Sequence, residues 1–320
     1  MEEIGGYFEL ELSMHNKRFI HSECVAVNSG RHALECILRN IPSKIKKVYV
    51  PYYTCDTVLQ PINKLHIPFS FYHIDECLEI KDSMPINNNE FLIINNYFGI
   101  KDEYIKSLYN KYKDNLIVDN TQAWYASSEN DVKAFYSPRK FFGVPDGGFA
   151  CGNNIYIQDV QKDSSFDRSS HLLKRIDLGA NLGYSDFKEN SSKLTDLPIR
   201  KMSDLTFKLL QSINMEQIKI KRLENFKYLD TYLSKLNKMK LPSSSSFECP
   251  MIYPFMTEDG ILKQKLIKNK IYVATYWPNV FDWCEKKSVE FNLASNLVPL
   301  PIDQRYGKRE MDKILNIIMG

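Results

Sequence analysis

The stretch Ser137–Gly148, SPRKFFGVPDGG, decides how the chain is read. It sets a hydroxyl three residues ahead of Lys140 and flanks that lysine with Arg139, Phe141 and Phe142. It then turns through Asp146-Gly147-Gly148. Apolar neighbours and an adjacent cation both penalise an ammonium, so a lysine in such surroundings is more readily deprotonated. A neutral amine attacks a carbonyl and holds it as a Schiff base. Paired glycines give the backbone freedom that a tight turn or a close approach to a ligand requires. The same residues also read as a surface Lys-Arg pair before a hairpin, and two distant segments must separate the readings.

Upstream, short apolar runs alternate with helical spacings. Lys47–Pro51 (KVYVP) reads as a buried strand followed by a helix over Thr54–Lys64. Pro68–Ile74 and Glu90–Phe98 read as the second and third strands, Asp102–Tyr112 as a helix, and Asn115–Val118 as a fourth strand ending at Asp119. Alternation over this length predicts an α/β fold with a mostly parallel central sheet flanked by helices. Ligands of such sheets gather at the carboxyl ends of the strands, where Asp119, Asn120, Gln122 and Trp124 fall. A helix cap or turn residue is the plainer reading of Asp119 alone. Asn28-Ser29-Gly30-Arg31-His32 precedes Ala33, Leu34, Ile37 and Leu38, which recur at helical spacing. A helix opened by Ser-Gly offers free N–H groups to an anion, and Arg31 adds charge. A simple serine N-cap fits the same residues.

Downstream, Phe149–Ile157 reads as a strand that continues the turn. Asp159–Pro198 reads as polar chain, part loop and part helix (His171–Leu178). Leu205–Lys238 reads as the longest helix, with apolar residues from Leu209 to Leu233 at a spacing of three and four. Pro242–Ser246 breaks it. We expect a large domain over 1–240, with an N-terminal arm over 1–22, and a smaller α+β domain over 241–320. In the latter, MIYPFM and IYVATYW read as strands, and Gly260–Lys268 and Lys308–Ile318 as helices.

The bulk properties narrow the function. The 320 residues are 43% hydrophobic and 25% charged, with a net charge of +3 and mixed signs throughout. Nothing there calls for nucleic acid. No apolar run approaches the ~20 residues a membrane span needs. The start MEEIGGYFELEL lacks the form of a signal peptide. Seven cysteines without a CxxC pair, and histidines without ligand spacing, predict no metal, reduced thiols and a cytoplasmic location.

An aldehyde wants a lysine, an aromatic ring nitrogen wants a carboxylate that keeps it protonated, and a phosphate wants a helix N-terminus with hydroxyls. Lys140, Asp119 and Asn28–His32 with Ser137 offer these groups in one chain. Pyridoxal 5′-phosphate (PLP) is the ligand that asks for all three.

The sequence also resembles the DegT/StrS family of PLP-dependent sugar aminotransferases, with the aspartate aminotransferase (type I) fold, from Gly5 to Leu236 and again near Leu300. The family's Ser-Gly-Thr-x-Ala-Leu turn is matched by Ser29-Gly30-Arg31-His32-Ala33-Leu34, with Arg for Thr. Its Pro-x-x-Thr is matched by Pro51–Thr54, and its Glu-Asp-x-x-Gln-Ala by Val118–Ala123. Its lysine with a following acidic-Gly-Gly is matched by Lys140 and Asp146–Gly148, and its closing Leu-Pro-Leu resembles Leu300–Ile302. The resemblance implies that Lys140 carries PLP and moves the substrate proton, that Asp119 pairs with the ring nitrogen and that Gln122 lies near the ring hydroxyl. It implies phosphate contacts from Ser29, Gly30, Arg31 and Ser137, and Thr54 and Cys55 beside the ring. It also implies a homodimer in which Asn181, within Gly179–Tyr184, reaches the partner's phosphate.

Three departures stand out. Phe135 occupies the usual position of the phosphate serine, and Cys55 that of the ring-stacking aromatic, for which Tyr53 is the candidate substitute. The segment from Asp119 to Lys140 is short. The reaction implied moves an amino group, from glutamate, to a keto group of a nucleotide-linked sugar, in surface polysaccharide or O-antigen assembly. The alternative is a PLP-fold binding or regulatory protein that does not transaminate. Ser137-x-x-Lys140 also has serine-acylase spacing, but the Lys-Thr-Gly such enzymes need is missing.

Overall fold

A computed structural model describes residues 7–15, 20–127 and 132–320, so the N-terminal arm expected over 1–22 lies partly outside the described residues. Seven strands form the main sheet: β1 (Val25–Val27), β2 (Lys47–Pro51), β3 (Phe69–Tyr72), β4 (Glu90–Asn95), β5 (Leu116–Asp119), β6 (Lys133–Tyr136) and β7 (Gly148–Cys151). Their spatial order is β1-β7-β6-β5-β4-β2-β3. The run from β3 to β6 is parallel. Strand β7 lies antiparallel to both β6 and β1.

Period-two alternation sends side chains of each strand to opposite faces, and both faces are covered. On one face Val48, Val50, Phe91, Ile93, Ile117 and Phe135 pack beneath Ala33, Leu34, Ile37 and Leu38 of α1 (Gly30–Arg39) and Ile62 of α2 (Leu59–Lys64). On the other, Leu92, Ile94, Leu116, Val118, Ala134 and Tyr136 meet Leu108 and Tyr112 of α3 (Asp102–Tyr112). Each of the larger apolar side chains among them contributes about 1.5–3 kcal/mol by burial. Further along come α4 (Ser170–Asp177), α5 (Ala180–Lys193), α6 (Asp204–Gln211) and α7 (Met215–Leu233). The C-terminal part holds a two-stranded antiparallel sheet, β8 (Tyr253–Met256) with β9 (Leu297–Leu300), and helices α8 (Leu262–Lys268), α9 (Val280–Trp283), α10 (Val289–Asn296) and α11 (Lys308–Met319). The second apolar cluster continues through Phe226 and Leu229 of α7 into Tyr253, Leu300 and Met311. Among the described residues no helix is long and apolar enough to cross a membrane.

Five expectations are corrected. The helix read over Leu205–Lys238 is two, because Asn214 takes the Gln217 N–H at 3.1 Å and starts α7 anew. The strand read to Ile157 ends at Cys151, where Gly152 adopts φ +136°. Asp159–Pro198 contains two helices, α4 and α5, rather than one helix and loop. Ile271–Trp277 forms no strand. The thiols are not all reduced: Cys24 and Cys151 are joined. The β1–β7 register that pairs Val25 with Ala150 sets these two directly opposite, with Cα atoms 4.7 Å apart. The pairing was invisible in a separation of 127 residues. The other five cysteines are free.

Candidate active site

The carboxyl ends of β4, β5 and β6 border a cavity. The registers align Asn95 with Asp119 and Asp119 with Phe135, so these three residues of β4, β5 and β6 sit side by side, and all line it. Beyond the strand ends, Thr54 and Cys55 follow β2, Thr121 and Gln122 follow β5, and Ser137, Arg139 and Lys140 follow β6. The start of α1 closes one wall with Ser29, Gly30 and Arg31.

That wall depends on glycine. A Cβ on Gly30 would lie 3.3 Å from Ser137 Cβ, and one on Gly148 would lie 2.2 Å from the Ser29 carbonyl oxygen. Gly147, at φ +108°, donates its N–H to the Asn28 carbonyl at 3.0 Å. The turn that follows Lys140 is thereby laced to the start of α1. Asp146, fully buried, anchors this turn: it accepts from Arg168 at 2.8 Å and from the Thr206 hydroxyl. Ser29 caps α1, accepting from the His32 N–H at 3.4 Å. The first N–H groups of the helix have no intrahelical acceptor.

Lys140 Nζ donates to Thr121 Oγ1 at 3.0 Å, and Asp119 Oδ1 accepts from the Thr121 N–H at 2.8 Å. One threonine therefore bridges the amine and the carboxylate. Burial raises the Asp119 carboxyl above its ordinary range, while the Lys140 charge and the Thr121 hydrogen bonds pull against that rise. Burial also pushes the Cys55 thiol up, again opposed by Lys140. Gln122 spends its carbonyl on the Phe98 N–H at 3.2 Å, and its Nε2 is buried without a partner among the described residues. Asn95 donates to Thr54 Oγ1 at 3.0 Å, and its Oδ1 is likewise buried without a partner among them. Two orphaned amide atoms in one cavity wall are what a polar ligand would satisfy.

Of the residues expected at a cofactor site, Ser29, Gly30, Arg31, Thr54, Cys55, Asp119, Gln122, Ser137 and Lys140 all line this cavity. Asn181 does not; it is exposed in the first turn of α5. Tyr53 is not in the lining either, because its ring is buried against Tyr97 and Trp277. Asn95, Thr121, Arg139 and Trp277 line the cavity and were not foreseen there. Asn95 had a usable signal, a polar residue ending an apolar strand. Trp277 had none, since its segment passes for a strand.

No family model matches the sequence, and no curated protein matches it. Solved structures do match. The sugar aminotransferase CalS13 from Micromonospora echinospora superposes with a TM-score of 0.62 at 13% identity, covering 93% of this chain and 87% of that one. A DegT DnrJ EryC1 StrS aminotransferase from Brucella abortus gives 0.60 at 15%, covering 92% and 85%. NtdA from Bacillus subtilis, with bound cofactor PMP, gives 0.59 at 13%, covering 92% and 73%. The chain has the fold of these proteins.

Proposed function

We propose that the chain is a PLP-dependent aminotransferase that moves an amino group, from glutamate, to a keto group of a nucleotide-linked sugar, with a role in surface polysaccharide or O-antigen assembly. The observation that carries the reading is Lys140 and Asp119 tied to one Thr121 in one cavity. Its cofactor and its chemistry agree with the aminotransferases that share the fold.

The lining residues fit PLP. A buried carboxylate costs several kcal/mol unless a cation faces it, and a protonated ring nitrogen is such a cation. The unpartnered Gln122 Nε2 is a donor for the ring hydroxyl. Ser29, Gly30 and Arg31 with Ser137 offer donors for the phosphate, while Thr54, Cys55 and Trp277, in the same lining, would wall the ring. When bound, PLP supplies an electron sink for the bonds of the amine-bearing carbon.

The residues do the rest. With the cofactor bound, Lys140 Nζ would hold the aldehyde and move the proton at the substrate carbon. Thr121 Oγ1, 3.0 Å from Nζ, fixes where that amine points. With PLP bound, the Asp119 carboxylate would keep the ring nitrogen protonated. Trp277, packed at 5.1 Å on Tyr53, gives the cavity an aromatic wall.

Reconstitution tests the reading. Purified chain with PLP should gain a visible band that borohydride bleaches, leaving the cofactor mass on the Lys140 peptide, and glutamate should shift that band. A chain that takes up no PLP overturns the proposal. A chain that holds PLP but answers no amino donor is the binding or regulatory protein instead.

A further inference from the structure

The cavity carries an excess of positive charge that Lys140 and Asp119 do not account for. Arg31 and Arg139 both line it, beside Lys140, against the one carboxylate of Asp119. Arg139 sits in the turn Pro138–Lys140 immediately before the lysine. Its Nη2 donates to Ser191 Oγ at 3.0 Å, its Nε is buried without an acceptor, and its Cζ lies 5.5 Å from the Phe187 ring centre. Arg31 donates to Gln60 Oε1 at 2.5 Å and to Thr195 Oγ1 at 2.8 Å. Among the described residues, then, the acceptors of both guanidiniums are neutral.

The carboxylates that act on them do so from beyond ion-pair distance: Asp56 and Asp196 on Arg31, and Asp146 on Arg139. Asp146 is already committed to Arg168 at 2.8 Å. Burial pushes the Arg139 guanidinium down to about 10, a fall that Asp146 opposes and that Arg31 and Arg168 deepen. It stays charged at neutral pH, repelled by a second arginine in the same wall. Both guanidiniums are half-buried, and two cations facing one cavity without an ion-paired carboxylate are compensated by a single doubly charged anion. The guanidinium fork matches phosphate oxygens in pairs. The start of α1 and the Ser29 and Ser137 hydroxyls supply neutral donors on the same wall.

We propose that Arg139 and Arg31 form a two-arginine seat for a phosphate monoester dianion, the 5′-phosphate of the cofactor, which makes Arg139 a cofactor-binding residue beside the lysine that holds the aldehyde. The identity of the dianion rests on the PLP reading above; the anion seat itself rests on the charges of the cavity.

The test compares PLP with pyridoxal, the same aldehyde without phosphate, on wild type and Arg139→Met, reading binding by the visible band and by borohydride trapping on Lys140. Arg139→Met should weaken PLP by about 10- to 100-fold, the range for a charged hydrogen bond, and leave pyridoxal unchanged. Equal effects on both aldehydes, or none on either, overturn the seat. Should Arg139→Met fold poorly by circular dichroism, Arg139→Lys keeps a point charge without the fork and should show a several-fold loss confined to PLP. Calorimetry with inorganic phosphate separates the two claims. If neither aldehyde marks Lys140 but phosphate binds wild type and not the variant, the seat stands and the PLP reading falls. If Lys140 is marked but phosphate binding ignores Arg139, the seat falls and the PLP reading stands.

Discussion

Asp119 is buried at the end of β5, where, among the described residues, it accepts from Thr121, whose N–H lies at 2.8 Å. Replacing it by Asn keeps the shape and removes the charge that would hold a ring nitrogen protonated. Breaking a buried charge pair from one side costs about 3–5 kcal/mol, so Asp119→Asn should lower turnover by roughly 100-fold or more while Lys140 still takes up the aldehyde. Turnover beside the absorbance band measures both. A second buried group answers to pH. His21 stacks on Tyr136 at 3.8 Å, bonds the Trp124 carbonyl at 2.7 Å, and is pushed down to about 4 by burial. Its folded value lies below the unfolded one near 6.5, so the unfolded chain takes the proton first. The stability tied to neutral His21 is present above the unfolded value and drains away as pH falls toward the folded one. Urea unfolding should show a loss of about 2 kcal/mol between about pH 7 and about pH 5, and His21→Leu should flatten that part of the profile. Residues of this kind divide sharply in how readable they are. Asp119 announces itself because a polar group ends an apolar strand, and Lys140 because it stands between Arg139 and two phenylalanines ahead of an Asp-Gly-Gly turn. Arg139, Thr121 and Trp277 do not, since what recruits them is the three-dimensional wall and not their neighbours in the chain.

At the scale of elements, β2 and α3 have the bounds that their patterns predict, because strict alternation and helical spacing each have one structural solution. The misses share a cause: a local pattern overruled by something it does not contain. The spacing of apolar residues runs through Ser212–Asn214 without a break, yet Asn214 captures the Gln217 N–H and splits α6 from α7. Asn214→Ala should therefore cost about 1 kcal/mol, the ordinary worth of an N-cap, measured as a lower denaturant midpoint with an unchanged slope. The run Ile271–Trp277 looks like a strand, but its end is drawn elsewhere, with Tyr276 packed at 5.7 Å on Phe98 and Trp277 reaching the cavity. Strand β1 is too short to register as a pattern, and with it went the Cys24–Cys151 link.

For the whole molecule, the division at residue 240 is still a proposal, and its interest lies in what each part would bring: 1–240 the groups that hold PLP, 241–320 the Trp277 wall. A homodimer is likewise proposed. What supports it is the surface around Asn181, where Leu173, Ile176, Leu178, Leu182 and Tyr184 of α4, α5 and the turn between them are all more than half exposed. An apolar patch of that density is unusual on a monomer. If Asn181 completes the partner's site, the two halves of one site come from different chains, and that arrangement has a genetic signature. Lys140→Ala lacks the lysine but keeps Asn181; Asn181→Ala lacks the reach but keeps the lysine. Each alone should be impaired, the first wholly and the second through weakened PLP uptake. In a mixed dimer one site inherits both lesions and the other none. Co-refolding equal amounts should make half the dimers mixed, each with one whole site, and so restore about a quarter of wild-type activity. A mixture that never exceeds the average of the two separate variants would mean that Asn181 acts within its own chain or not at all, and the shared-site dimer would have to be given up.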